Sequence, residues 1–198
     1  MIATLTEKMK EAEESMLKAL SLPLYKATPE RNFRDYAYAA AVFYSNPNYR
    51  NEVINWCQEA LKHAELCENT SGKQWVTAML GSLFKRNGNL DRAMEYFYRA
   101  AKKNDAYSAY RYSRLVSREN DDAARFWLFY SAVLGCIEAY PVTAEELSTL
   151  GHEEDATYFY YLAAMANDVD SIVTLAKRYM EGIGVEKSDR HAKWHMDK

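Results

Sequence analysis

The sequence predicts an all-α protein: a right-handed α-solenoid (α/α superhelix) of about five antiparallel helix pairs, with an N-terminal capping helix. Three observations predict it. A pattern of alanine, an aromatic and paired small residues recurs through the chain. Each copy is followed, at fixed offsets, by a turn residue and a stripe of small residues at helical spacing. Helix start and stop signals fall at the joints between copies.

The first pattern reads Ala93-Met94-Glu95-Tyr96-Phe97-Tyr98-Arg99-Ala100-Ala101. It returns from Ala124 to Ala132 and again from Ala156 to Ala164, with first residues 31 and 32 positions apart. A weaker copy, Val53, Trp56-Cys57 and Ala60-Leu61, lies 40 residues earlier. After each double-small site comes Asn104, Gly135 or Asn167. Four residues on stands Ser108, Ala139 or Ser171. Tyr112-Ser113, Thr143-Ala144 and Leu175-Ala176 follow, then Val116, Leu147 and Tyr179. Steps of three to five mark one face of a helix. Small residues on that face let neighbouring helices approach closely. Leu80-Gly81 with Phe84, and Ala40-Ala41 with Tyr44, fit the same register earlier in the chain.

Boundary signals place pairs at 29–66, 71–102, 105–133, 136–165 and 168–198, in a single repeat domain over 1–198. Thr28-Pro29 opens the first pair, because proline suits the first helical turn. Ser71-Gly72-Lys73-Gln74 reads as a capping box opening the second. Asn87-Gly88 ends a helix, and Asn89 with Asp91 starts the next. Asn120 with Asp121-Asp122 marks another start. Gly151 followed by Glu153-Glu154-Asp155 marks a further one, its acids favoured by the helix dipole. Tyr140-Pro141 interrupts the fourth pair and predicts a kink or a helix that begins late; Thr143-Ala144-Glu145-Glu146 reads as its capping box. Residues 1–21 contain an amphipathic helix from Thr4 to about Leu20, capped by Thr4-x-x-Glu7 and expected to cover the exposed end of the stack. Leu22 to Ala27 reads as a linker.

Composition bounds the function. The chain has 198 residues, 48% of them apolar, with only seven glycines and four prolines. That excludes collagen-like and disordered classes. A chain this long buries roughly 70% of its unfolded surface, so it needs no disulfide or metal for stability. The net charge of −3 argues against a surface built wholly for nucleic acid or anionic lipid. The charge is uneven: −2 over 1–70, +5 over 71–134 and −6 over 135–198. Met1 to Lys8 shows no secretory signal, and the longest nearly apolar run, Ala37 to Tyr44, is eight residues. A cytoplasmic protein without membrane contact is expected. Cys57, Cys67 and Cys136, an odd number, read as buried free thiols of a reducing compartment.

The last unit carries Ser171, Leu175-Ala176, Tyr179, Gly182-Ile183-Gly184-Val185 and Ala192. In these residues it resembles the Sel-one-like repeat family, a branch of the tetratricopeptide-like α-solenoids. The architecture extends over 33–198, and the distinctive loop over 167–193. Asn87 to Ala93 looks more like an ordinary tetratricopeptide turn, and Asp189 and Trp194 each stand one place off the family pattern. The resemblance implies a scaffold that holds other proteins and carries no catalysis. It also implies that the first helix of each pair lines a concave surface. Mapped onto this chain, that surface holds Tyr38 and Val42, then Trp75, Ala78, Ser82 and Lys85. Tyr107, Tyr110, Arg114 and Ser117 follow, then Glu138, Glu145 and Ser148, then Asp170, Val173 and Lys177. Candidate partner-binding residues are Tyr38, Trp75, Lys85, Tyr107, Tyr110, Arg114 and Lys177, because Tyr, Trp and Arg most often carry interface energy. A protein or peptide partner with an acidic segment would suit the basic, aromatic middle. Tyrosines in such repeats also pack between helices, so the same residues have a purely structural reading.

Other chemistry has little support. His191 and His195 are four apart, as are Glu59, His63 and Cys67, but a single helix face seldom closes a tetrahedral metal site. No Walker loop or GxGxxG occurs, and Gly182-x-Gly184 reads as a turn. No catalytic site, cofactor, metal or small-molecule substrate is expected. Alternative functions remain: an immunity protein neutralising a bacterial effector, which the resemblance implies, or single-stranded nucleic-acid binding through residues 71–134. Self-association through exposed solenoid ends is a third.

Overall fold

A computed structural model describes residues 28–117 and 120–196, and of the first 27 residues only Lys10, Glu11, Glu14, Ser15 and Lys18, all helical. Those five apart, the expected capping helix over 1–21 and the linker at Leu22–Ala27 lie outside the described residues. Every regular element described is helical: α1 Pro29–Phe43, α2 Arg50–Leu66, α3 Thr70–Arg86, α4 Leu90–Ala101, α5 Ala106–Val116, α6 Asp121–Val133, α7 Tyr140–Thr149, α8 Glu153–Met165, α9 Val169–Glu181 and α10 Asp189–Met196. Short 3-10 turns, Pro47–Tyr49 and Ile137–Ala139, precede α2 and α7. The chain forms two compact units, Met1–Tyr96 and Phe97–Lys198, divided within α4.

In the first unit α2 packs on both α1 and α3. Thr28 caps α1, its hydroxyl accepting from the Arg31 amide, and Pro29 occupies the first turn. Small residues let the helices meet: Ala39, Ala40, Cys57 and Ala60 are fully buried beside Phe43, Val53, Val76 and Leu80. Each large apolar side chain buried here contributes about 1.5–3 kcal/mol. Asn69 caps α3, accepting from the Gly72 amide at 2.9 Å, so the expected Ser71–Gln74 capping box does not form. The reason is register: the helix already starts at Thr70, which puts Ser71 inside the first turn. A Cβ on Gly72 would collide with the Phe33 ring. At the α3–α4 joint, Phe84 stacks on Tyr96 at 5.4 Å.

In the second unit the neighbouring pairs α5–α6, α7–α8, α8–α9 and α9–α10 all pack together, and α6 packs on α7. The small residues of the repeat register are buried to 3% exposure or less: Ser108, Ala139 and Ser171, then Ser113, Thr143–Ala144 and Leu175–Ala176. The turn residues before them, Asn104, Gly135 and Asn167, all have positive φ (64°, 93° and 65°). Only Gly, and Asn more readily than most, tolerates that conformation, which explains the Gly/Asn alternation. Leu128, Ala132, Cys136 and Ala139 form one core cluster, and Ala144, Tyr160, Ala164 and Leu175 another.

The fourth pair departs from the regular pattern where Pro141 stands. The 3-10 turn ends at Ala139, and α7 begins late, at Tyr140, with the proline in its first turn. The expected Thr143–Glu146 capping box is absent. Thr143 is fully buried with its hydroxyl unpartnered, and Glu146 instead accepts from Arg125 Nε at 2.7 Å. A helix that starts three residues earlier leaves Thr143 facing the core.

Candidate functional site

The mapped first-helix residues can be followed helix by helix within each unit. In the first unit, Tyr38 (61% exposed) and Val42 share the open face of α1, one turn apart. On α3, Trp75 is exposed, whereas Ala78, Ser82 and Lys85 are half-buried. The Ser82 hydroxyl donates back to the Ala78 carbonyl, so it is occupied within its own helix.

In the second unit, α5 presents the most developed face. Asp105 starts it, accepting from the Ser108 amide at 2.7 Å. Ser108, Ala109, Ser113 and Val116 bury one side. Tyr107, Arg111 and Arg114, at steps of four and three, lie along another. Tyr107 is exposed, and the Arg111 guanidinium lies over its ring at 5.6 Å. That contact holds the two side chains together. Arg114 is exposed and forms no ion pair among the described residues. Beside it opens a pocket of about 330 Å³. Ser113, Arg114 and Ser117 form one wall; Asp121 and Glu146 bring acids, and Leu128 and Val142 an apolar surface. Tyr110 differs from its neighbours, because its half-buried ring packs against the Leu128 cluster.

Further along, Glu138 and Glu145 are exposed, as are Asp170, Val173 and Lys177 on α9. Ser148 has a different task. Its hydroxyl lies 3.0 Å from a Glu153 oxygen and accepts from Arg178 Nη2 at 2.8 Å. Arg178 is the centre of this cluster. It is 6% exposed, pairs with the Glu153 carboxylate at 2.8 Å, donates to Thr157 at 2.9 Å and lies over the Tyr160 ring at 4.9 Å. The Arg178 hydrogen bond, followed by that of Ser148, holds the Glu153 carboxyl below its ordinary value. Thr157 also reaches the Ile183 carbonyl, and Gly184 sits against the Glu153 backbone. The buried cation therefore joins α7, α8, α9 and the glycine loop. Sequence reasoning passed over it, because its partners lie 21 to 30 residues away.

Many of the other aromatics pack between helices. Tyr98, Tyr112, Trp127 and Tyr130 form a ring cluster at 5.1–5.8 Å, and the Tyr130 hydroxyl donates to Asn104. His191 and His195 both lie against Tyr179, and His195 is buried. His63 stacks on Tyr36. Among the described residues, no three His, Cys, Asp or Glu side chains converge on a metal position. Burial pushes the Cys57 and Cys136 thiols up to about 12, so neither is a thiolate nucleophile at neutral pH. Cys67, expected to be buried, is half-buried at the C-terminal cap of α2. No described helix is long and apolar enough to cross a membrane.

No family model matches the chain. No curated protein matches its sequence. Solved structures do match its fold. One is c5321, a protective antigen present in uropathogenic Escherichia coli strains that displays an SLR fold: 17% identity, TM-score 0.67, 83% of this chain covered and 37% of that one. Another is the Sel1 repeat protein from Oxalobacter formigenes: 18% identity, TM-score 0.69, 85% and 51% covered. The chain thus spans about a third to a half of the length of these two proteins. Its fold is the all-α Sel1-like helical repeat.

Proposed function

We propose that this chain is a non-catalytic interaction scaffold that holds a protein or peptide partner against the first-helix faces of its repeats. The observation that carries the reading is the α5 face. The Arg111 guanidinium lies over the Tyr107 ring, and Arg114 stands exposed without an ion pair among the described residues. An aromatic beside unspent guanidinium charge is the combination that most often concentrates binding energy. An acidic stretch of the partner is the natural complement to Arg111 and Arg114. Tyr38 and Trp75 extend the same type of face in the first unit, and Lys177 extends it on α9.

The test is affinity capture with the purified chain as bait, beside a Tyr107→Ala/Arg114→Glu variant. Both residues are exposed, so the variant should melt like the parent. Tyr110 is a poorer choice, since its ring supports the core. A partner held by the parent should be weakened by tenfold or more in the variant, roughly the effect of losing one anchor residue. Equal retention by both proteins would remove the α5 face from the reading.

A further inference from the structure

The second helices of the second unit carry an exposed apolar row that the first-helix reading does not use. On α6 it holds Phe126 (60% exposed) and Val133 (77%), with Ile137 (55%) just beyond the helix. On α8 it holds Tyr158 (58%) and Met165 (51%), followed by Val169 (69%). Every one of these three positions recurs after 32 residues. Residues seven apart lie on one helix face. Both helices border one core cluster: Leu128 and Ala132 of α6 build it with Cys136 and Ala139 of the following turn, and Phe159 of α8 packs against it. Single exposed apolar side chains are ordinary, but three equivalent positions exposed on two successive second helices form a repeated apolar row. In the preceding repeat the same positions are Glu95, Lys102 and Ala106, so the row begins at α6.

The charges around the row repeat as well. Asp122 and Glu154 stand at its one end, Glu138 and Asp170 at the other, again 32 residues apart and all exposed. The α8 segment contains no Lys or Arg, and α6 contains only Arg125, which bonds Glu146 at 2.7 Å and Asp122 at 3.3 Å, so the rim's charge rests chiefly on Glu154, Glu138 and Asp170. An acidic rim around an apolar row disfavours two occupants. A second copy meeting through this face would set acid against acid, and an anionic bilayer would be repelled.

We propose that this face docks a basic amphipathic helix of a partner protein, its apolar stripe on the Phe126 and Tyr158 rows and its Lys/Arg side chains on the acidic rim. Phe126 to Val133 spans about 10 Å, or two helical turns, and matches partner side chains at i, i+3 or i+4, and i+7. This surface is distinct from the α5 face, so each can fail alone.

The test uses a labelled synthetic helix of about 18 residues, with Leu at i, i+3, i+4 and i+7 and Lys elsewhere, titrated with the full chain by fluorescence anisotropy. Two controls have Glu in place of Lys, or the same residues in scrambled order. The Lys helix should bind, and the controls should not. Binding should weaken by about tenfold in Phe126→Ser/Tyr158→Ser and in Asp122→Lys/Glu154→Lys. It should persist in Tyr107→Ala/Arg114→Glu. Circular dichroism of each variant verifies its fold. Equal binding of the scrambled peptide, indifference to the two second-helix variants, or loss in the α5 variant would each overturn the proposal. So would a dimer that dissociates in Phe126→Ser, which would assign the row to a second copy. Adsorption to neutral vesicles abolished by Tyr158→Ser would overturn it in favour of a bilayer.

Discussion

Replacing Arg178 by alanine is expected to lower the stability of the second unit by about 3 kcal/mol, among the larger effects for one side chain. The substitution removes a guanidinium that is 6% exposed and bonded to Ser148, Glu153 and Thr157, and it removes the packing on Tyr160. Buried hydrogen bonds to a charged group contribute about 1.5–3 kcal/mol each. The loss is tempered because Glu153 is 37% exposed and can recover water. For a chain of this length the change corresponds to about 6–12 °C in melting temperature, measurable by circular dichroism. Arg178→Lys should recover only part of it, since an ammonium cannot span three partners with a planar fork. The pH dependence has a defined sign. The Glu153 carboxyl titrates below its ordinary 4.5 because the ionised form accepts from Arg178 and Ser148. A lowered folded-state value means stability that is present above 4.5 and disappears as pH falls through the folded value. The parent should therefore lose stability in this acid range more steeply than Arg178→Ala. Parallel acid limbs would show that the pair is not coupled to folding.

The second large effect is expected at Gly184, in the loop that closes the last repeat. Its φ is +61°, and a Cβ there would collide with the Glu153 carbonyl and the Glu154 amide. Those atoms are backbone at the start of α8, so no side-chain rotation relieves the clash. Gly184→Ala should cost about 2–4 kcal/mol, combining a left-handed conformation that alanine resists with displacement of a helix terminus. The displacement also pulls on the Thr157 bond to Ile183 and on Glu153, so the change should weaken the Arg178 cluster as well. Combining Gly184→Ala with Arg178→Ala should then cost less than the two effects added together. Gly88 provides the contrast. It has φ +75°, but nothing lies within 4 Å of the position a methyl would take, so its alanine variant bears only the conformational penalty. Equal costs at the two glycines would remove the steric part of this account.

The helix pairs were legible because the same physical demands repeat. Ser108, Ala139 and Ser171 are small because helices meet there, and Asn104, Gly135 and Asn167 recur because the backbone turns left-handed before them. Capping was less legible. Asn69 and Ser71 are both good cap residues two positions apart, and only the start at Thr70 decides between them. Thr143 resembles a cap but faces the core, because the proline start moved the helix boundary. The Arg178 cluster was hidden, since sequence spacing does not show which polar residues of different repeats converge. The exposed row on α6 and α8 was written in the 32-residue register all along. Sequence alone does not separate exposed Phe126 and Tyr158 from buried Phe97 and Tyr160 in near-equivalent aromatic runs. The α5 face was legible as residue types. That Tyr110 turns toward the core while Tyr107 stays open depends on the neighbouring helix, which the residue pattern did not specify.

The most direct test of the scaffold reading is hydrogen–deuterium exchange on the chain alone and in complex with its captured partner. The account predicts new protection over α5, 106–116, and its absence when the bait is Tyr107→Ala/Arg114→Glu. Protection confined to the second helices, or a complex whose α5 amides exchange as fast as in the free chain, would contradict it.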